Sequence, residues 1–183
     1  MTEGPKPVRR IVTMDGAGGR SVGIEDGPVP DVRTDPARPG FISTRVWVTD
    51  KTPVRIKHAR EALAQPHRIE PPPRGSICRI VTFPPDAAFW GKVGGAEVSA
   101  FFHAMGSPAA STYSPKAPHP YMQKTRTLDF CVILDGEITL VLDTEEVHLA
   151  AGDTVVQRGT NHAWSTRSDR PCSIAISSHD AAD

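Results

Sequence analysis

Apolar and polar residues alternate along this chain with a period of two, most clearly in its second half. From Gln123 to Leu134 the run QKTRTLDFCVIL sends Thr127, Asp129, Cys131 and Ile133 to one side and Leu128, Phe130, Val132 and Leu134 to the other. That period is the signature of a strand. Strands are predicted at Leu128–Leu134, Glu137–Asp143, Glu146–Leu149 and Thr154–Gln157, where β-branched residues are frequent. Earlier strands are expected at Arg9–Met14, Arg20–Glu25, Ile42–Thr49, Ser76–Phe83 and Glu97–His103, the first two as a hairpin. Asp135-Gly136 predicts a two-residue hairpin turn, and Ala151-Gly152-Asp153 another turn. Helix is expected only as a turn or two near Ile56–Ala64. The prolines of PHRIEPPPRG then interrupt regular structure, and the stretch is either a surface loop or a flap over the barrel mouth. Residues 104–120, rich in proline and serine, are expected to be mobile or to cover the pocket. Closely spaced antiparallel strands point to an all-β fold, a small barrel or jelly roll. The barrel is expected over residues 76–183, with residues 1–75 as a strand-containing arm and irregular loop packed on it.

If Asp129 points inward, so do Gln123, Thr125 and Thr127, with Tyr121 in the same register. The opposite face, Leu128 to Leu134, is then the more apolar one. A polar interior with a greasy exterior predicts a cover for the outside, and a homodimer is the simplest.

The spacing of certain residues resembles that of a known family. Asp129 is followed seven residues later by Gly136, and Gly152, Gly159 and His162 follow in turn. These positions are similar to the two motifs of the cupin superfamily: His-x-His, a glutamate and a glycine, then a glycine, Pro-x-Gly and a histidine. Asp129 stands where the glutamate is expected. The two motif histidines fall on Gln123 and Thr125, the second motif's proline is absent, its glycine spacing is one residue short, and its last position is Thr166. The resemblance covers residues 98–178 and implies a cupin barrel. A typical cupin site holds Zn, Fe, Mn or Ni through three histidines and a carboxylate. Here Gln123, Asp129 and His162 are the residues that would hold such a divalent metal, and the set is one strong ligand short.

Site residues follow from the pattern and the resemblance together. His162 and Asp129 are the candidates for catalysis, as an acid–base pair. An adjacent Asp129 would raise the pKa of His162. Gln123, Thr125, Tyr121, His103 and Trp164 are the candidates for substrate binding. Trp164 would form a flat wall for a ring. Each has a structural alternative: His162 could bond a loop carbonyl, Asp129 could pair with Arg158, and His103 could be a core histidine.

Composition narrows the function classes. Basic and acidic residues balance at 21 each, which argues against a nucleic-acid or membrane partner recruited by bulk charge. No apolar run approaches a membrane span, and the N-terminus lacks a signal peptide's apolar core. Three scattered cysteines fit reduced thiols in the cytoplasm. Three readings remain. The first is an enzyme acting on a small polar organic molecule by non-oxidative acid–base chemistry, as a lyase, dehydratase, isomerase or cyclase. The second is a non-catalytic small-molecule-binding cupin, and the third a metal-dependent dioxygenase.

Overall fold

The structure is a computed structural model and describes residues 6–54, 56 and 64–182. The described strands are β1 (Arg9–Asp15), β2 (Ser21–Pro28), β3 (Val32–Thr34), β4 (Ile42–Thr49), β5 (Ser76–Phe83), β6 (Thr127–Asp135), β7 (Glu137–Val141), β8 (Glu146–Ala150), β9 (Thr154–Arg158), β10 (Ala163–Ser165) and β11 (Cys172–Asp180). A single α-helix among the described residues, α1, spans Gly95–Ala104. The strands form a six-stranded sheet in the order β3-β4-β5-β11-β6-β9 and a three-stranded sheet, β10-β7-β8. All pairings are antiparallel. The inner faces of the two sheets share one core, in which Val81, Ile133 and Ile174 from the larger sheet join Ile138, Leu140 and Trp164 from the smaller. The fold is therefore an all-β double sheet, as the alternation predicts.

β1 and β2 form the expected hairpin, from Arg9↔Pro28 to Asp15↔Ser21. Its attachment to the barrel runs through Arg10, whose Nη1 donates to the Val46 carbonyl at 3.1 Å and whose guanidinium lies 5.5 Å from the Trp47 ring. The period of two in β6 is also as predicted: Thr127, Asp129, Cys131 and Ile133 are buried, while Phe130, Val132 and Leu134 face outward and are exposed.

Three expectations are corrected. The run Glu97–His103 is helix, not strand. Val98, Phe101 and Phe102 are its buried residues, spaced for one helical face, and the Gly94 N–H donates to Glu97 Oε2 at 2.9 Å to close the first turn. Helix is thus found at Gly95–Ala104; the helix expected at Ile56–Ala64 lies largely outside the described residues. Asp135-Gly136 is not a hairpin turn, because β6 and β7 do not pair. β6 runs between β11 and β9, and β7 between β10 and β8. Gly136, at φ 80°, turns the chain from one sheet to the other, and a Cβ there would lie 2.7 Å from the Pro171 carbonyl oxygen. Gly152, at φ 98°, marks the return between β8 and β9, which again belong to different sheets.

Candidate functional site

A cavity of about 50 Å³ lies where α1 covers the inner face of the six-stranded sheet. Its apolar wall includes Phe41, Phe83, Phe101, Met105, Trp164 and Ile176, and its polar points are Arg38, Ser43, Arg79, Tyr121 and Gln123. Period two delivers Arg79 and Phe83 from β5 to the same wall. Ile69, from the proline-rich stretch, also reaches it.

Arg38 and Arg79 are both buried, at 3% and 6% relative exposure. Arg38 Nε donates to Asp35 Oδ2 at 2.8 Å, and Tyr121 Oη donates to the same oxygen at 2.9 Å. Arg79 Nη2 donates to Ser178 Oγ at 3.3 Å. Burial pulls the pKa of both guanidiniums down; Tyr121 and Asp35 oppose this at Arg38, and Asp129 does so at Arg79. Burial likewise pushes the Tyr121 hydroxyl up, so it stays protonated and donates.

Of the residues expected from sequence, Gln123, Tyr121 and Trp164 line the cavity. His162 sits behind Gln123. The two residues form an isolated antiparallel bridge, and Gln123 Nε2 lies 3.4 Å from His162 Nε2. Trp164, two residues on, sets its ring edge-on to His162 at 6.0 Å. Asp129 and Thr125 are buried on the same inward face but off the cavity wall, and Thr125 Oγ1 bonds Thr127 Oγ1 at 2.8 Å. Arg158 is exposed opposite Leu128, and the charge of Asp129 is felt instead at the buried Arg79. His103 leaves the set. It lies exposed on α1, with Nδ1 2.8 Å from the Ser99 carbonyl, because the run that carries it is helical. Sequence reasoning missed Arg38, Ser43 and Arg79. Arg79 was accessible to it, since the inward alternation of β5 includes that position.

His162 has one tautomer imposed on it. Its Nδ1 lies 2.9 Å from the Thr160 carbonyl, which can only accept, so Nδ1 carries the hydrogen and Nε2 the lone pair. The pKa of His162 is lowered, not raised as expected. Burial dominates, against the Thr160 carbonyl and the charge of Asp129. The imidazole is therefore neutral at pH 7. Cys131, also inside the barrel, has its thiol pushed up to about 12 by burial and the neighbouring Asp129, which leaves it unreactive.

The donor set does not fit the divalent metal that the resemblance implies. Among the described residues no group of three or more His, Cys, Asp or Glu side chains could hold an ion. Gln123 and Thr125 replace two imidazoles, the Thr125 hydroxyl is engaged by Thr127, and the charge of Asp129 acts on the buried Arg79 guanidinium.

Residues 111–178 match the family model of the cupin domain. Over 48 residues the chain is 56% identical to phomopsin biosynthesis cluster protein C' of Diaporthe leptostromiformis, a stretch covering 26% of this chain and 25% of that protein. Over 46 residues it is 46% identical to oryzines biosynthesis cluster protein J of Aspergillus oryzae, covering 25% of this chain and 26% of that protein. The matched stretch thus spans about a quarter of the length of these curated relatives. A cupin 2 conserved barrel domain protein from Salinispora arenicola, known from its crystal structure, is 14% identical with a TM-score of 0.43, over 86% of this chain and 90% of that one. The match starts upstream of Gln123, takes in Asp129, Gly136, Gly152, Gly159 and His162, and ends in β11, so this stretch of the chain carries the cupin-domain pattern.

Proposed function

We propose that this cupin binds a small organic molecule in the cavity under α1 and moves a proton on it, with His162 as general base. The observation that carries the reading is the state of His162: buried, neutral, and fixed by the Thr160 carbonyl with its Nε2 lone pair toward Gln123. At 3.4 Å the Gln123 contact is long for a hydrogen bond. Rotation of the Gln123 amide would open Nε2 to the cavity that this side chain lines. His162 then takes a proton from a carbon next to a carbonyl, and the electron pair left behind spreads into that carbonyl. Where a carbon–carbon double bond is conjugated with that enolate, returning the proton to its far carbon moves the double bond and completes an isomerisation. Expelling a β-hydroxyl, protonated by His162 as it leaves as water, completes a dehydration. Asp129 stabilises the transient imidazolium by its charge. No step is routed through a metal, because the donor set does not fit one. The biosynthesis-cluster names of the two relatives support a small-molecule substrate. The free state of Cys78, Cys131 and Cys172 supports a cytoplasmic setting, and no helix among the described residues is long and apolar enough to cross a membrane.

The experiment is proton exchange in D₂O. Wild-type protein is incubated with 2-oxobutyrate, and loss of the signal of the carbon-bound protons beside the carbonyl is followed by NMR. His162→Ala is expected to lose the exchange while keeping its fold. A second reading, binding without chemistry, is favoured by one observation: His162 and Asp129 lie behind the cavity wall and not on it. Ligand binding without exchange would select that reading.

A further inference from the structure

We propose that the ligand of this cavity carries a carboxylate, and that Arg38 and Arg79 are the residues that recognise it. This rests on the cavity being the ligand site, though not on any turnover there.

The two guanidiniums leave buried N–H groups unspent. Arg38 Nη2 and Arg79 Nε have no hydrogen-bond partner among the described residues, and neither has the Ser43 hydroxyl on the same wall. Buried donors are ordinarily satisfied, and a charged one left alone is costly, so three orphans on residues that line one void call for an acceptor there, reached by a small turn of these side chains. Arg38 cannot swing away to find water. Its Cζ lies 3.5 Å from the Tyr121 ring centroid, 4.1 Å from that of Phe41 and 4.3 Å from that of Phe101, and Asp35 holds Nε from behind. A guanidinium fixed in this way is preorganised for a planar anion.

The carboxylates nearby do not take that place. Asp35 is spent: Oδ1 accepts from the Ala37 N–H, and Oδ2 from both Arg38 and Tyr121. Glu70, whose charge is felt at Arg79, accepts from the Ser107 hydroxyl. Asp129 is the rival. Its Oδ1 also lacks a partner, and its charge is the first to act on Arg79. A structural Arg79–Asp129 pair would nevertheless leave Arg38 and Ser43 without a purpose. Size limits the anion to a small one, and the apolar wall favours one with a carbon attached. A void of about 50 Å³ takes roughly four water-sized atoms at about one probe sphere each. That accommodates a carboxylate with its adjoining carbon, and Phe41, Phe83 and Trp164 offer apolar wall to what is attached.

Calorimetric titration of the full chain with acetate and propionate, against acetamide, propionamide and inorganic phosphate, tests this. At least one acid is expected to bind at least about tenfold more tightly than its isosteric amide and than phosphate. Arg38→Lys and Arg79→Lys are each expected to weaken acid binding by about tenfold or more and to leave the amide unaffected. If Arg38→Lys fails to fold, the double variant Arg38→Met with Asp35→Asn removes both buried charges together and is expected to bind acid and amide alike. Equal binding of acid and amide, preference for phosphate, binding of neither, or undiminished acid binding by these variants would overturn the proposal. Acid binding with no proton exchange in D₂O leaves the ligand class standing and removes only the acid–base reading.

Discussion

Arg38 and Tyr121 share one oxygen of Asp35: the guanidinium stacks on the phenol ring, Cζ to centroid 3.5 Å, while both donate to Asp35 Oδ2. The three side chains are buried together on the cavity's edge, and each makes the burial of the others tolerable. Tyr121→Phe keeps the ring and removes one bond to a buried carboxylate, a loss of about 1.5–3 kcal/mol. Tyr121→Ala also removes the stack and leaves a hole, for about 3–5 kcal/mol in all. Urea denaturation of both variants measures the order; a Tyr121→Phe protein as stable as wild type would show that the hydroxyl contributes nothing to holding Asp35.

The two sheet-switching glycines differ in what surrounds them. Gly136→Ala must place a Cβ 2.7 Å from the Pro171 carbonyl oxygen at a φ of +80°. Gly152→Ala meets nothing within 4 Å, so only its φ of +98° is penalised. Left-handed strain costs an L-residue about 1–2 kcal/mol. Gly152→Ala should lose about that much and Gly136→Ala clearly more, read as a lower melting temperature for Gly136→Ala in a paired thermal scan.

Stability should fall on acidification through histidine as well as through carboxylates. His162 and His67 both have folded pKa values lowered by burial, while unfolded histidine titrates near about 6.5. Below that pH the unfolded chain takes up protons that the folded chain refuses. Their stabilisation is therefore complete above about pH 6.5 and is lost as pH drops toward the folded values. His162→Gln should flatten the pH dependence of the unfolding free energy between about pH 7.5 and 5.5, with His67 supplying part of what remains. An unchanged slope would mean that His162 is not buried neutral.

The outer face of the six-stranded sheet is apolar and open. Phe130 and Val156, cross-strand partners in β6 and β9, are 46% and 57% exposed, with Val132 and Leu134 beside them. We propose that a second copy of the chain covers this face. Light scattering should give twice the chain mass, and Phe130→Glu, which alters no core contact, should halve it. A wild-type protein of single-chain mass would rule the dimer out.

How much of this was legible in the sequence depended on whether a signal was local. β4 and β5 lie where their β-branched runs placed them, at Ile42–Thr49 and Ser76–Phe83. Glu97–His103 was misread because seven residues with apolar positions at 98, 101 and 102 fit a strand's composition as well as a helix face, and the Gly94–Glu97 contact that decides it lies at the run's edge. Gly136 advertised its positive φ correctly. The pairing inferred from it failed because the partners of β6 are set by distant strands, Asp135 facing Ser173. The inward row of β6 was readable, and with it Gln123, Thr125 and Asp129. Arg38 was not, since its place on the cavity depends on aromatic rings from Phe41, Phe101 and Tyr121 that meet only in the folded chain. The direction of the His162 pKa was likewise out of reach, because it turns on how deeply the ring is buried and not on which charge stands nearby.

By the proposed mechanism a neutral His162 acts as a base on a ligand held in the barrel, without a metal. Chelator-treated protein in D₂O with 2-oxobutyrate tests it most directly. Wild type should exchange the protons beside the carbonyl, and His162→Ala should exchange them about 10²–10⁴-fold more slowly, the usual contribution of a general base. Equal exchange by the two proteins, or loss of wild-type exchange on chelation, would contradict it.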